Sequence, residues 1–175
     1  MQRISGLHKN NPQSRAAFTL VEVIIVVVIL AIVAVMAVPM FSSAESFQIR
    51  AAANMVAADL EYARSMAISH GRSYRVVFDC TNESYQIQDD SGSVIEHTVK
   101  VGSDYIVSFS SDSRLQSVDI ESASFDSTPT VQFDYLGSPY NGNGNSLNSG
   151  VIVLSAGGLS MKIHVEPVTG YVSIE

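Results

Sequence analysis

The feature that most limits what this chain can become is a run of 16 consecutive apolar residues, Val23 to Val38. Only Thr19, Glu22 and Pro39 interrupt the larger stretch from Phe18 to Met40. Phe18 to Phe41 is 24 residues. As a helix rising about 1.5 Å per residue it extends about 36 Å, enough to cross a hydrocarbon core of about 30 Å. The run is longer than the apolar core of an ordinary secretory signal, and the nearest small-residue cleavage site, Ser42-Ser43-Ala44, is a weak one. The pattern predicts a transmembrane helix over 18–41.

Charge orients this segment. Residues 1–17 hold Arg3, Lys9 and Arg15 and no acid, whereas residues 42–175 hold 16 acids against 7 bases, a net of −9. The positive side stays in the cytoplasm, so the chain after Phe41 is expected across the membrane, in the periplasm. An anionic body argues against a nucleic-acid partner, which needs a basic footprint. Glu22 does not suit a bland anchor, because a carboxylate at mid-bilayer costs about 2.5–3.5 kcal/mol on insertion scales. Either it snorkels to the nearby interface or it pairs with a positive group from another chain.

The stretch Ala16-Ala17-Phe18-Thr19-Leu20-Val21-Glu22-Val23 resembles the type IV prepilin motif: a basic leader, a small residue, then Phe-Thr-Leu-x-Glu opening an apolar helix. The resemblance implies that a prepilin peptidase cuts between Ala17 and Phe18 and N-methylates Phe18. It implies that Glu22 neutralises a neighbouring subunit's terminal amine during filament assembly, and that Pro39 stands where relatives often carry proline. Two positions depart from the pattern: Ala17 replaces the usual Gly before the cut, and Ala31 lies where many relatives have Gly. Pro39 removes the hydrogen bond to the Val35 carbonyl and should kink the helix.

Beyond the span, Ile49, Ala52, Val56, Leu60, Ala63 and Ala67 recur every three or four residues, one apolar stripe of a continuing helix over 42–71. Gln48, Asp59, Arg64 and Ser65 lie off it, and Gly71 reads as a left-handed cap after His70. A β-sheet should cover the stripe. Tyr74, Val76 and Phe78 alternate with Arg75, Val77 and Asp79, and Tyr85 and Ile87 alternate with Gln86 and Gln88. Further β-like runs are Val94–Val101, Tyr105–Phe109, Val118–Ile120, Thr130–Tyr135, Val151–Leu154, Leu159–Val165 and Tyr171–Ile174. The expected class is α+β, a long N-terminal helix packed on an antiparallel β-domain over 72–175.

Three of these segments extend the resemblance. Residues Ala63 to Gly71, Val131 to Gly137 and Val165 to Val172 are similar to the helix end, later strands and closing turn of the GspH/FimT family of minor pilins and pseudopilins. That resemblance implies a structural subunit of a type IV pilus or a type II secretion pseudopilus. Its partners would be other pilins, the prepilin peptidase, and an inner-membrane assembly platform with its ATPase. Two other readings compete: a DNA-binding minor pilin for natural transformation, which would want a basic cluster near the C-terminal turn, and a single-pass anchor that never assembles.

No catalytic, cofactor or metal site is expected. His8, His70, His97 and His164 are scattered without ligand spacing, and Cys80 has no adjacent histidine to serve as base. Neither a Walker loop nor a dinucleotide fingerprint occurs. Residues 137–150, with four Gly and four Asn, read as a flexible surface excursion and offer no carboxylate for calcium. Arg64 reads as structural, its stem covering apolar surface.

Overall fold

Apolar residues spaced three and four apart build the first element of the fold, and period-two alternation builds the others. A computed structural model describes residues 19–175, side chains over 35–43 excepted. The leader expected over 1–17 and the cut expected between Ala17 and Phe18 lie outside the described residues. So does the side chain of Pro39, where a kink is expected. The chain divides into two units, Met1–Pro39 and Met40–Glu175.

Helix α1 runs over Leu20–His70, supplying the described part of the first unit and the opening of the second. It begins with Thr19 as its N-cap, three residues ahead of Glu22. The Glu22 amide donates to Thr19 Oγ1 at 3.2 Å and the Val23 amide to the Thr19 carbonyl at 3.2 Å. The large apolar side chains from Leu20 to Val33 are all exposed. Among the described residues no helix is long and apolar enough to cross a membrane. Described side chains of the apolar run end at Ala34, whereas the run itself continues to Val38. The span expected over 18–41 is therefore not carried by the described residues alone.

In the second unit the expected stripe is the seam of the core. Ile49, Ala52, Val56, Leu60, Ala63 and Ala67 are at most 2% exposed, and Ala53 joins them. Four of these seven are alanines, so much of the seam is built from small side chains. Its larger residues, Ile49, Val56 and Leu60, each contribute about 1.5–3 kcal/mol of burial.

The strands are β1 (Tyr74–Asp79), β2 (Ser84–Gln88), β3 (Ile106–Ser108), β4 (Asp119–Phe125), β5 (Thr130–Phe133), β6 (Pro139–Asn141), β7 (Gly150–Ala156), β8 (Leu159–Val165) and β9 (Val172–Ile174). They form two antiparallel sheets, where one was expected: β3-β2-β1-β5-β6 and β4-β7-β8-β9. The chain leaves the first sheet after β3, lays β4 against β7, and returns to pair β5 with β1. Inward residues of both sheets (Tyr74, Val76, Phe78, Tyr85, Ile87, Phe125, Phe133, Ile152, Leu154, Ile163) close one core with the helix seam. The architecture is α+β, as the alternation predicts.

Two segments differ from expectation, each because a polar side chain claims the backbone. Val94–Val101 makes only isolated bridges, Gln88 to Val94 and Glu96 to Asp104. His97 Nδ1 accepts from the amides of Val99 and Lys100 at 3.1 and 3.4 Å, which turns the chain and leaves Val99 and Val101 exposed. The Gly- and Asn-rich stretch 137–150 is not a free excursion. It contains β6, and it buries Asn141 and Leu147. Asn141 Oδ1 accepts from the amides of Asn143 and Asn145, and Asp126 accepts from those of Asn148 and Ser149. Side-chain carbonyls and carboxylates thus supply the order that apolar side chains do not.

Asp59 ties the helix to the first sheet. It accepts from the Tyr85 hydroxyl at 2.6 Å and the Tyr105 hydroxyl at 2.8 Å. Tyr105 is sandwiched between the rings of Tyr62 and His97, at centroid distances of 5.6 and 4.4 Å. Burial raises the Asp59 carboxyl above its ordinary value, against the two hydroxyls and His97, which lower it. A raised carboxyl favours folding fully below its ordinary value of 3.8 and loses that contribution as pH rises through the folded value. Asp59→Asn should remove this slope, seen as a flatter dependence of Tm on pH above about 4 than in the parent. Asp126 has the opposite sign: the Asn148 amide, then the other donors, hold it below 3.8. Its contribution is present above that pH and lost as pH falls through the lowered value, so the amide-exchange protection factors of Asn148 and Ser149, taken relative to intrinsic exchange at each pH, should fall in acid before the core opens.

Candidate functional site

Two surfaces carry residues whose exposure the fold itself does not require. The first is the start of α1. Glu22 stands in the first helical turn, where a carboxylate suits the positive end of the helix dipole. It lies on the same stretch of helix as Val23, Val26 and Val27, all of them exposed. A carboxylate flanked by exposed aliphatic residues on a helix face is suited to contact another apolar helix that presents a positive group. Ala17 and Phe18 lie outside the described residues, and Pro39 lies within α1.

The second surface lies where the helix end meets two turns. The described structure brings together three segments far apart in the chain: α1 around Arg64, the turn after β5, and the turn between β8 and β9. Arg64 Nε donates to the Gly137 carbonyl at 3.3 Å, and Arg64 Nη1 contacts Glu61 Oε2 at 3.2 Å. Glu61 Oε1 accepts the Val172 amide at 3.2 Å. The packing is close enough to need glycine twice. A Cβ on Gly137 (φ +82°) would stand 2.9 Å from Ile68 Cδ1, and one on Gly170 (φ +63°) would stand 2.7 Å from the Gly137 carbonyl oxygen. Arg64 is thus structural, as its place on the helix flank suggests.

Around this junction large apolar side chains point outward: Ile68 is 49% exposed, Tyr135 59%, Leu136 67%, Val168 79% and Tyr171 59%. Val168 is also strained. Its φ is +66°, and the Thr169 amide donates to the Pro167 carbonyl across it at 2.7 Å, a three-residue turn that β-branched residues rarely centre. Such a conformation costs about 1–3 kcal/mol.

Other candidates do not gather. Cys80 is a half-buried free thiol beside a groove of about 500 Å³ lined by Val77, Gln86, Ile106 and Pro129. Among the described residues no group of three His, Cys, Asp or Glu side chains is arranged as a metal site. Arg64, Arg72 and Arg114 are engaged by Glu61, by Asp89 and Asp90, and by Asp112.

Residues 12–38 match the prokaryotic N-terminal methylation motif, and residues 52–169 match the type II transport protein GspH. The chain belongs to the GspH family. Members of this family are structural pilin subunits, and this GspH-family chain is a minor pilin or pseudopilin, membrane-anchored and assembling with other pilins in a filament. Similar solved structures include the type IV minor pilin FimU of Pseudomonas aeruginosa, at 13% identity over 75% of this chain and 90% of that one, TM-score 0.48. The minor pseudopilin EpsH of the Vibrio cholerae type 2 secretion system is similar at 9% identity over 72% and 94%, TM-score 0.47. No curated protein matches the chain.

Glu61, Gly137, Gly170 and Val168 were not singled out as site residues in the sequence. The Pro-Val-Thr-Gly run of 167–170 holds the missed signal: a β-branched residue directly after proline in a tight turn, where glycine or asparagine is usual. Gly170→Ala in this GspH-family subunit should lower stability by about 1–3 kcal/mol in denaturant titration, since the added methyl meets a backbone carbonyl at a left-handed φ.

Proposed function

We propose that this minor pilin is cut by a prepilin peptidase between Ala17 and Phe18, N-methylated at Phe18, and built into a filament through Glu22. The observation that carries the reading is Glu22 itself. It is fixed in the first turn by the Thr19 cap and sits among exposed aliphatic residues, four positions from the expected terminus. In the bilayer the segment 18–41 is a single-pass anchor with the leader 1–17 in the cytoplasm and the domain 72–175 in the periplasm. On extraction, apolar burial against neighbouring helices and the contact of Glu22 with a neighbour's Phe18 amine drive docking. The helix half 42–71 carries the domain to the filament surface. An assembly platform and its ATPase supply the work of extraction, and the subunit performs no catalysis.

Engagement of Arg64, Arg72 and Arg114 by acids of the same chain supports filament assembly over duplex DNA binding.

Intact mass and N-terminal peptide analysis of protein from membranes test the processing step. The expected chain lacks the first 17 of its 175 residues and begins at N-methyl-Phe18. A retained Met1 overturns it. Glu22→Ala should leave insertion and cleavage intact while recovery in sheared filaments falls about tenfold or more, because the neighbour's amine is left buried and unpaired. Equal recovery would reduce the chain to a simple anchor.

A further inference from the structure

The apolar patch at the helix end is a docking surface for a different subunit of the filament, we infer, and the strained Val168 turn exists to present it. This rests on the filament reading above and names a contact made by the β-domain rather than by the apolar helix.

Ile68, Leu136, Val168, Tyr135 and Tyr171 lie on adjoining segments, because Gly137 packs on Ile68 and Gly170 packs on Gly137. A rigid, glycine-tightened base under two tyrosines and three aliphatic residues has the composition of a binding core and is pre-organised for it. The fold gains little from these side chains. Val168 in particular occupies a left-handed position that asparagine or glycine would fill with less strain, while its side chain is 79% exposed. A residue that destabilises its own turn and buries nothing in its own domain is explained by a surface elsewhere.

Charge selects the partner. Asp134 and Glu166 border the patch, and among the described residues neither has a basic partner; Arg64 is already held by Glu61 and the Gly137 carbonyl. A second copy would bring a body of −9 over residues 42–175 against these carboxylates. The complementary surface is an apolar face edged by Lys or Arg on another pilin.

A photo-crosslinking amino acid placed at Leu136 of the full-length chain, irradiated in cells that carry its filament system, tests this. Ser91, at an exposed turn away from the patch, is the background position, and Val26 reports helix-to-helix assembly. The expected product joins Leu136 to a different pilin subunit through a peptide containing Lys or Arg. A product with this chain itself, with lipid, with a protein that is not a pilin, or no product above the Ser91 background overturns the inference. If Val26 crosslinks and Leu136 does not, the docking surface falls and the filament reading stands. If neither does, both fall.

Val168→Asn separates docking from folding. It should raise the Tm of the full-length protein in detergent by about 2–4 °C by relieving the left-handed strain. It should also lower the crosslink yield from Leu136 about tenfold. An unchanged yield, or a Tm that fails to rise, overturns the proposal.

Discussion

The β-domain depends on the burial of one helix face in a core shared with two sheets. Ala52, Ala53, Ala63 and Ala67 supply its small positions, and Ile49, Val56 and Leu60 its bulk, all buried. Neither sheet has a complete apolar partner without that face. The first sheet lends it Tyr74, Val76, Tyr85 and Phe133, and the second lends Ile152, Leu154 and Ile163. Because the seam is narrow and buried to a few per cent, the register of α1 is set by packing rather than by helix propensity.

Polar contacts fasten what the seam positions. Gln48 accepts the Ser117 amide ahead of β4, Asp59 holds Tyr85 and Tyr105, and Glu61 with Arg64 reaches the turns around Gly137 and Val172. Glu83, in the turn between β1 and β2, accepts the amide of Ile120 and so links the two sheets directly. The ties from Gln48, Asp59, Glu61 and Arg64 come from residues flanking the apolar stripe, which explains why positions off the stripe are not simply solvated.

How much of this was legible follows from what a linear pattern can encode. The stripe from Ile49 to Ala67 and the alternation of Tyr74, Val76 and Phe78 are periodic, so helix and strands could be read directly. The methylation segment around Glu22 is contiguous and was equally plain. Asp59 looked like an ordinary exposed position, because the tyrosines that need it come 26 and 46 residues later. Val94–Val101 has strand composition, and only the geometry of His97 reveals that its ring nitrogen diverts the backbone. Asn141 and Asp126 organise a stretch whose composition, taken alone, suggests a loose loop. The patch at Leu136 and Val168 required three distant segments to meet, which no local spacing announces.

Glu61 has a mechanical consequence. Its two carboxylate oxygens serve different sheets: one holds the Val172 amide of β9, and the other holds Arg64, which grips the Gly137 carbonyl beyond β5. A pull along α1 is therefore delivered to both sheets at one point, loading those bonds together. The two sheets thus share one attachment to the helix, at Glu61 and Arg64.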